Sequence, residues 1–369
     1  MKIRLTLLIV GMIVGGCKKT TSLTHSVTVS ELGQLVQTVA PLQQDAPLFR
    51  IPITQNITIG EYFRHMDRLV RQYDTLVPYE LTEHLLVRAN PWLIDTLENT
   101  DYYRQMAQGH FVEDQRQMVV LKPGDTLQLP GPKTAADLEA KMSATSLDVN
   151  LPAFRLRIMA SDSILYEFPV RIGKNQRKFL AMADGNVDLR THTGTGQIIR
   201  IARNPAFYDP VTGKQFYYTR RDDLRTTHMP LIPWLEPAIN GYRYGQMIHP
   251  TTNPRTLGKA ASNGCIGLKE ADAWRVYYYA PIGTKVVIRY DLQEITPAGD
   301  TLHFEDVYRR RSARSKIVAP ATVVHNSGRS EACWCGHYAL MTSIKTMHDP
   351  DHISACESLR ILPYKITFR

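Results

Sequence analysis

Residues 248–268 read IHPTTNPRTLGKAASNGCIGL, and fifteen residues separate His249 from Cys265 in this stretch. A thiol attacks a carbonyl only as thiolate, so a catalytic cysteine needs a base or a cation nearby, and backbone N–H groups to receive the oxyanion. Gly264 lets the backbone take conformations closed to other residues, and Gly267 lets it pass close to a ligand. The stretch therefore predicts a nucleophilic cysteine at a bend, with His249 as its base.

The immediate neighbours of Cys265 decide how this residue is interpreted. An isolated cysteine between glycine and isoleucine is more often a small buried hydrophobe than a nucleophile. Here a loop rich in Thr, Asn and Pro connects His249 to Cys265, and Ser-Asn-Gly directly precedes the sulfur. This concentration of polar and turn-forming residues favours catalysis over packing.

The His249–Cys265 pattern resembles the catalytic signature of the L,D-transpeptidases of the YkuD type, in which a histidine and a gap of similar length precede Ser/Thr-His-Gly-Cys. The likeness covers about 151–292 and implies a mainly β catalytic domain, a YkuD-type β-sandwich, preceded by a small α+β or helical module. Three further segments resemble the family: Thr193-Gly194-Thr195-Gly196, Met229-Pro230 with Trp234, and the closing strand Pro281–Ile288.

Three positions depart from the family pattern. Asn263 stands where the family usually has histidine, Gly267 where it usually has Arg or Asn, and Pro250 where it usually has Gly. Asparagine can donate and accept hydrogen bonds but is no base near neutral pH. The role of general base therefore falls on His249 alone.

The resemblance also implies the roles of the remaining site residues. Cys265 is the nucleophile, and its N–H together with that of Gly264 forms the oxyanion hole. Ser262 and Asn263 orient His249 or the loop. Substrate contacts are expected from Tyr242, Tyr244 and Arg255. The chemistry needs no cofactor and no metal.

The first residues predict export and anchoring. Residues 1–16 combine a short basic start with an apolar run that is too short to span a bilayer, as in a signal peptide. Val14-Gly15-Gly16-Cys17 resembles a bacterial lipobox, which implies acylation of Cys17 and a lipoprotein on the periplasmic side of the envelope, at the inner or the outer membrane. Residues 17–50 are polar and are expected to form a tether.

The rest of the chain divides by composition. Residues 51–130 carry apolar positions at helical spacing and end in a Pro-Gly-Asp-Thr-Leu-Gln-Leu-Pro run, which resembles the last strand of a LysM-like wall-binding module; the alternative is a helical spacer. Residues 131–150 are expected to be a linker with a short helix. The catalytic domain is assigned to 151–311, and the tail 312–369 has no assignment.

Within the catalytic domain the pattern predicts three late elements. A helix is expected over 272–279, with Trp274 and Tyr277–Tyr279 as core residues rather than a ligand platform. A closing strand over 284–290 and a hairpin within 291–308, turned at 297–300, should follow.

The net charge of +9 does not indicate nucleic-acid binding, because five of the basic residues fall in the single run 309–316 and an exported chain meets no nucleic acid. Mild positive charge suits a carboxylate-bearing wall polymer or anionic lipid. Three cysteines lie in the tail, where either a disulfide from Cys356 to Cys333 or Cys335, or unpaired thiols, are compatible with the spacing.

The function implied by the resemblance is formation of 3→3 cross-links in peptidoglycan through a cysteine thioester, with stem peptides and glycan as partners. Water in place of the acceptor amine would give an L,D-carboxypeptidase or another peptidoglycan-peptide hydrolase. A catalytically decayed wall-binding lipoprotein and a thiol peptidase with other substrates are the remaining alternatives.

Overall fold

A computed structural model describes residues 45–296 and 298–309. Short 3-10 turns connect some of the elements. The helices are α1 (Ile59–Tyr73), α2 (Glu83–Arg88), α3 (Trp92–Glu98), α4 (Tyr102–Ala107), α5 (Pro132–Ser143) and α6 (Glu270–Tyr279). The strands are β1 (Phe49–Pro52), β2 (Ile57–Thr58), β3 (Val119–Leu121), β4 (Thr126–Leu129), β5 (Thr145–Asn150), β6 (Arg155–Ala160), β7 (Ser163–Pro169), β8 (Ile172–Gly173), β9 (Arg177–Leu180), β10 (Gly185–Asp188), β11 (Gly194–Ala202), β12 (Tyr218–Arg220), β13 (Thr226–His228), β14 (Trp234–Ile239), β15 (Ile248–Pro250), β16 (Ala260–Ser262), β17 (Ile266–Leu268), β18 (Lys285–Arg289), β19 (Gln293–Ile295) and β20 (Thr301–His303).

One eight-stranded sheet forms the frame of the second half of the chain. Its strand order is β17-β15-β14-β11-β18-β5-β6-β7. Most neighbours are antiparallel, but β15 runs parallel to β17 and β18 runs parallel to β5. Parallel neighbours need a crossover between them, and the crossover from β15 to β17 is the loop that carries the Thr/Asn/Pro-rich sequence. The expected mainly β domain, preceded by a helical region, is confirmed.

The two edges of this sheet come together just past β7. Arg171 follows β7 and pairs with Gly267 of β17, the opposite edge strand: the Arg171 N–H donates to the Gly267 carbonyl at 2.9 Å and the Gly267 N–H donates back at 3.0 Å. The sheet therefore curls toward a barrel. Closure leaves fewer open strand edges and brings two distant parts of the sequence together.

Helix α6 covers part of the sheet, and its aromatic residues form core. Glu270 and Asp272 lie in its first turn, where the helix dipole favours negative charge. Trp274, Tyr277 and Tyr278 are buried, and Tyr279 is half-buried against the same core, so the prediction that these aromatic residues are core is confirmed. Burial of each such side chain stabilises the fold by roughly 1.5–3 kcal/mol.

The helical region that precedes the sheet is built around a strand pair. β1 and β4 are antiparallel neighbours, with α1 to α4 in the chain between them. Helix α1 presents Tyr62, Phe63 and Met66 on one buried face. This strand–helix–strand order is compatible with either sequence interpretation, and the LysM-like assignment stays a prediction.

Buried polar contacts join this region to α6. The Glu83 carboxylate accepts hydrogen bonds from the hydroxyls of Tyr277 and Tyr278, at 3.1 and 2.8 Å. The hydroxyls of Tyr62 and Tyr278 lie 2.7 Å apart. Arg203 completes the cluster with an ion pair to Glu83 at 2.8 Å. The helical region is thus fastened to the sheet domain through interior contacts and not through a flexible tether.

The structure differs from the expected linker over 131–150. α5 occupies the first part of that segment, and Thr145–Asn150 form β5 in the middle of the large sheet. Thr, Ser, Asp and Asn are typical of loops, but this strand pairs with β18 on one side and β6 on the other, and its alternating Leu147 and Val149 are buried.

Later elements follow their predictions closely. The expected helix over 272–279 and strand over 284–290 correspond to α6 and β18, and β19 pairs antiparallel with β20 as the expected hairpin. The signal peptide, Cys17, the tether up to 44 and the tail from 310 lie outside the described residues. No helix within the described ranges is long and apolar enough to cross a membrane.

Candidate active site

Two parallel strands place the histidine beside the cysteine. In the register of β15 and β17, His249 lies opposite Gly267. Cys265 stands two residues before Gly267, directly ahead of β17, and side chains two residues apart in an extended chain share one face. The crossover loop thus returns the sulfur to the face of the sheet that carries the imidazole.

The imidazole of His249 is held as a neutral base. Its Nδ1 lies 2.7 Å from the Pro250 carbonyl oxygen. Because a carbonyl only accepts, Nδ1 carries the proton and Nε2 keeps its lone pair. Trp234 stacks on the ring with centroids 4.2 Å apart. Burial, with a smaller contribution from the Arg171 charge, lowers the pKa of His249 to about 3, so the ring is unprotonated near neutral pH.

Two groups bring positive potential to the thiol of Cys265, the Met247 N–H and the Arg171 guanidinium. The Met247 N–H donates to Sγ at 3.3 Å. Burial raises the pKa of Cys265, while the Met247 N–H and the Arg171 charge oppose that rise. The resting pair is therefore a neutral thiol and a neutral imidazole.

Ser262 fixes the turn that carries the sulfur. Its hydroxyl donates to the Cys265 carbonyl at 2.6 Å and accepts from the Gly264 N–H at 3.2 Å. Both hydrogen bonds of the Ser262 hydroxyl thus lie within the turn 262–265.

Gly264 is required at its position for two reasons. Its φ of +112° belongs to a region that side chains other than glycine rarely adopt. An added Cβ would also lie 2.7 Å from Nε2 of Gln246. The Thr191 hydroxyl, which donates to the Gly264 carbonyl at 2.9 Å, holds the residue from the other side.

The structure changes the expected oxyanion donors. The Gly264 N–H is engaged by Ser262 and is not free to bind an oxyanion. The Cys265 N–H donates to no acceptor in the described part of the chain. Of the two expected donors, only the Cys265 N–H remains available.

Asn263 makes no side-chain hydrogen bond among the residues from 45 to 309 that the structure describes, and it is half-buried. It does not contact His249 through a hydrogen bond, so the expected orienting role has no support in the geometry.

The expected substrate contacts are spread over the site. Tyr244 is half-buried, stacks on His192 at 3.7 Å and lines a crevice with Gln246, Met247 and Ile266. Tyr242 is 66% exposed, with its ring 6.2 Å from that of Tyr244. The Arg255 side chain is exposed, and its backbone N–H donates to Asp222 at 2.9 Å. Only Tyr244 lies close to the residues that flank the sulfur.

A hairpin and the helical region hold the crossover loop. The hydroxyls of Thr219, in β12, and Thr252 lie 3.0 Å apart. Tyr103 of α4 donates its hydroxyl to the Thr252 carbonyl at 3.1 Å and accepts the Asp222 N–H at 3.0 Å. Hydrogen bonds therefore hold the segment after His249 to the β12–β13 hairpin and to α4.

Sequence reasoning missed two residues of the site. Trp234 was recognised only as part of a family segment, although its ring covers the imidazole. Arg171 gave no signal, because an arginine in Pro-Val-Arg-Ile-Gly at the end of a strand resembles a solvated charge. No cluster of His, Cys, Asp and Glu able to hold a metal occurs within the described ranges.

Comparison with known proteins identifies the sheet domain. The family model of the YkuD L,D-transpeptidase catalytic domain matches residues 144–288. YkuD of Bacillus subtilis strain 168 is 30% identical over 188 residues, which cover 46% of this chain and 96% of that protein. YkuD of Bacillus licheniformis is 24% identical, over 45% of this chain and 74% of that protein.

Among solved structures, an L,D-transpeptidase from Mycobacterium smegmatis is 14% identical, with a TM-score of 0.28. The match covers 45% of this chain and 63% of that one.

Proposed function

The chain belongs to the YkuD family of L,D-transpeptidases, and we propose that it forms 3→3 cross-links in peptidoglycan through a thioester on Cys265. The observation that carries the proposal is the parallel pairing of β15 with β17, which sets a neutral His249 next to the strand that Cys265 leads. Family membership implies peptidoglycan as the substrate and the cell envelope as the place of action.

The first half-reaction follows from the two protonation states. The donor is a tetrapeptide stem, and Sγ of Cys265 attacks the carbonyl that joins its third residue to D-alanine. The thiol proton passes to Nε2 of His249 as the C–S bond forms. The Cys265 N–H faces the oxyanion, a contribution worth about 2.7–4 kcal/mol. His249 then gives its proton to the departing nitrogen, the C–N bond breaks, and D-alanine leaves.

The second half-reaction reverses these steps with a new amine. The side-chain amine of the third residue of another stem attacks the thioester and loses a proton to His249. The C–S bond breaks and the sulfur takes that proton back. One amide bond has been exchanged for another, so no energy source is needed. Water as the acceptor would release the free stem instead.

Incubation with purified disaccharide-tetrapeptides tests the proposal. We expect dimers that have lost one alanine, identified by mass spectrometry and by fragmentation across the new bond. Monomers that lose alanine without dimerising would support the carboxypeptidase instead. No change in any muropeptide would favour the decayed wall-binding protein.

Asn263 is expected to contribute little to acylation. Since its side chain makes no hydrogen bond to His249, Asn263→Ala should change the rate of acylation by a carbapenem by less than about threefold, within the range of a surface substitution. Asn263→His should behave alike. Intact-mass spectrometry over time measures the adduct, with His249→Ala as the impaired reference. Loss of acylation in Asn263→Ala with normal acylation in His249→Ala would reverse the two roles.

We further propose that Cys17 is acylated and attaches the enzyme to a membrane. The lipobox-like sequence supports this, although the residue lies outside the described ranges. Intact-mass measurement of protein extracted from the membrane fraction should show a diacylated or triacylated mature chain that begins at Cys17. A mature chain with a different first residue would remove the anchor.

A further inference from the structure

Arg171 is a half-buried cation that forms no ion pair with a carboxylate among the described residues. Nε of Arg171 is shielded from solvent and has no hydrogen-bond acceptor among the described residues. Burial lowers the pKa of Arg171, and the only charge that opposes this comes from Cys265. Partial burial of a charge without a partner costs stability, so an arginine in this state needs another explanation.

Three neighbouring strands explain where this side chain lies. Arg171 and Gly267 exchange both backbone hydrogen bonds, and Gly267 lies opposite His249 in the next strand. Residues directly opposite one another share a face of the sheet. Arg171, Gly267 and His249 therefore form a row across the sheet, on the face to which Cys265 also belongs.

The missing side chain at Gly267 makes room for the arginine. A Cβ built at position 267 would lie 2.5 Å from Nε and 2.7 Å from Cγ of Arg171. The Arg171 side chain thus passes directly over Gly267, toward the base and the nucleophile.

We propose that Arg171 is the electrostatic positioning residue of this site: its guanidinium, laid over Gly267, is the counter-charge for the thiolate of Cys265. The inference rests on the proposed cysteine chemistry. When the proton moves from sulfur to His249, the negative charge forms within the field of a fixed cation. An arginine suits this role because it stays charged when buried. The same cation disfavours a second positive charge on His249 and speeds the return of its proton to the leaving amine.

Other titratable groups around the sulfur do not replace Arg171. Of the charged side chains in the described ranges, Arg171 is the one whose charge acts on Cys265. His249 is neutral, and Lys174 and Lys259 are exposed. The remaining groups on surrounding elements are His192, Tyr244, Arg190 and Tyr308, of which Arg190 pairs with Asp188 and Tyr308 donates to the Gly173 carbonyl.

The test measures the thiolate without using a wall substrate. Full-length protein is alkylated with iodoacetamide from pH 5 to 10, and the Cys265 peptide is quantified by mass spectrometry. Arg171→Gln should raise the apparent pKa of Cys265 by about one unit and slow its alkylation near pH 7 about tenfold, since an adjacent opposite charge shifts a pKa by about 1–3 units. Arg171→Lys should stay within about threefold of the wild type. Arg177→Gln, an exposed arginine on β9, is the matched control and should not differ.

Two readouts separate this role from a structural one. A half-buried cation without an ion-pair partner contributes little stability, so Arg171→Gln should melt at or near the wild-type temperature. The double variant Arg171→Ser with Gly267→Arg returns a guanidinium from β17 and should restore alkylation. The double variant also provides the test if Arg171→Gln does not fold. If the double variant folds but its Cys265 is alkylated slowly, Arg171 is not the counter-charge of the thiolate.

The inference is overturned if Arg171→Gln alkylates like the wild type, or if Arg171→Lys is as slow as Arg171→Gln. Because iodoacetamide needs no peptidoglycan, the two hypotheses fail separately. If Arg171→Gln shifts the pH profile of Cys265 alkylation but the wild-type protein leaves every stem peptide unchanged, the proposed function is refuted and the role of Arg171 is retained.

Discussion

Cys265→Ala should abolish cross-link formation, with a loss on the order of 10⁵- to 10⁶-fold, the scale seen when a covalent nucleophile is removed. The fold should survive, because the substitution removes one half-buried sulfur and one hydrogen bond from the Met247 N–H. His249→Ala should lose nearly as much, and the double variant no more than either single one, since base and nucleophile act as a unit.

Muropeptide analysis gives the activity, and carbapenem adduct formation gives the acylation half-reaction alone. Thermal melting of each variant provides the control for folding. A Cys265→Ala protein that still forms tetrapeptide dimers would exclude the thioester intermediate. Activity that is lost in Cys265→Ala but retained in His249→Ala would mean that a group other than His249 takes the thiol proton.

Glu270→Gln should destabilise the protein by about 3–5 kcal/mol, the cost of leaving one member of a buried ion pair without its partner. Glu270 forms an ion pair with Arg221, and both side chains are almost completely buried. Gln115 donates to the same carboxylate at 2.8 Å and accepts from Arg221 at 2.9 Å. This network connects α6, the β12–β13 hairpin and the helical region, so its failure loosens three elements at once.

Urea denaturation measures the free energy of unfolding. Glu167→Gln is the matched control, because that carboxylate pairs with Arg155 and Arg157 at the surface, where such pairs contribute up to about 1 kcal/mol. Equal losses in the two variants would show that the buried network adds no more than a surface pair.

The sequence was informative where function depends on neighbours in the chain. His249 and Cys265 are separated by one crossover loop, and their spacing together with the polar residues between them predicts that they act as a pair. Strand and helix periodicity likewise located α6 and β18. These features depend on local geometry, which a pattern of residue types can encode.

Features that depend on closure of the sheet were not predictable. Arg171 reaches the site only because β7 and β17, opposite edges of the sheet, meet there. The strand Thr145–Asn150 was interpreted as linker because its burial comes from neighbours on both sides rather than from its own composition. Gly264 was expected to donate to an oxyanion, but the Ser262 hydroxyl that engages it depends on the folded turn.

The contact between Tyr62 and Tyr278 has a consequence for biosynthesis. These hydroxyls are in contact although 216 positions of the chain separate them, and the Glu83 carboxylate accepts a hydrogen bond from Tyr277, 194 positions later. Polypeptides emerge N-terminus first at about 5–20 residues per second, so the partner of Tyr62 appears roughly 10 to 40 s after it. During that interval the aromatic face of α1 lacks its partners from α6, so the core that these two helices share closes only after α6 has been made.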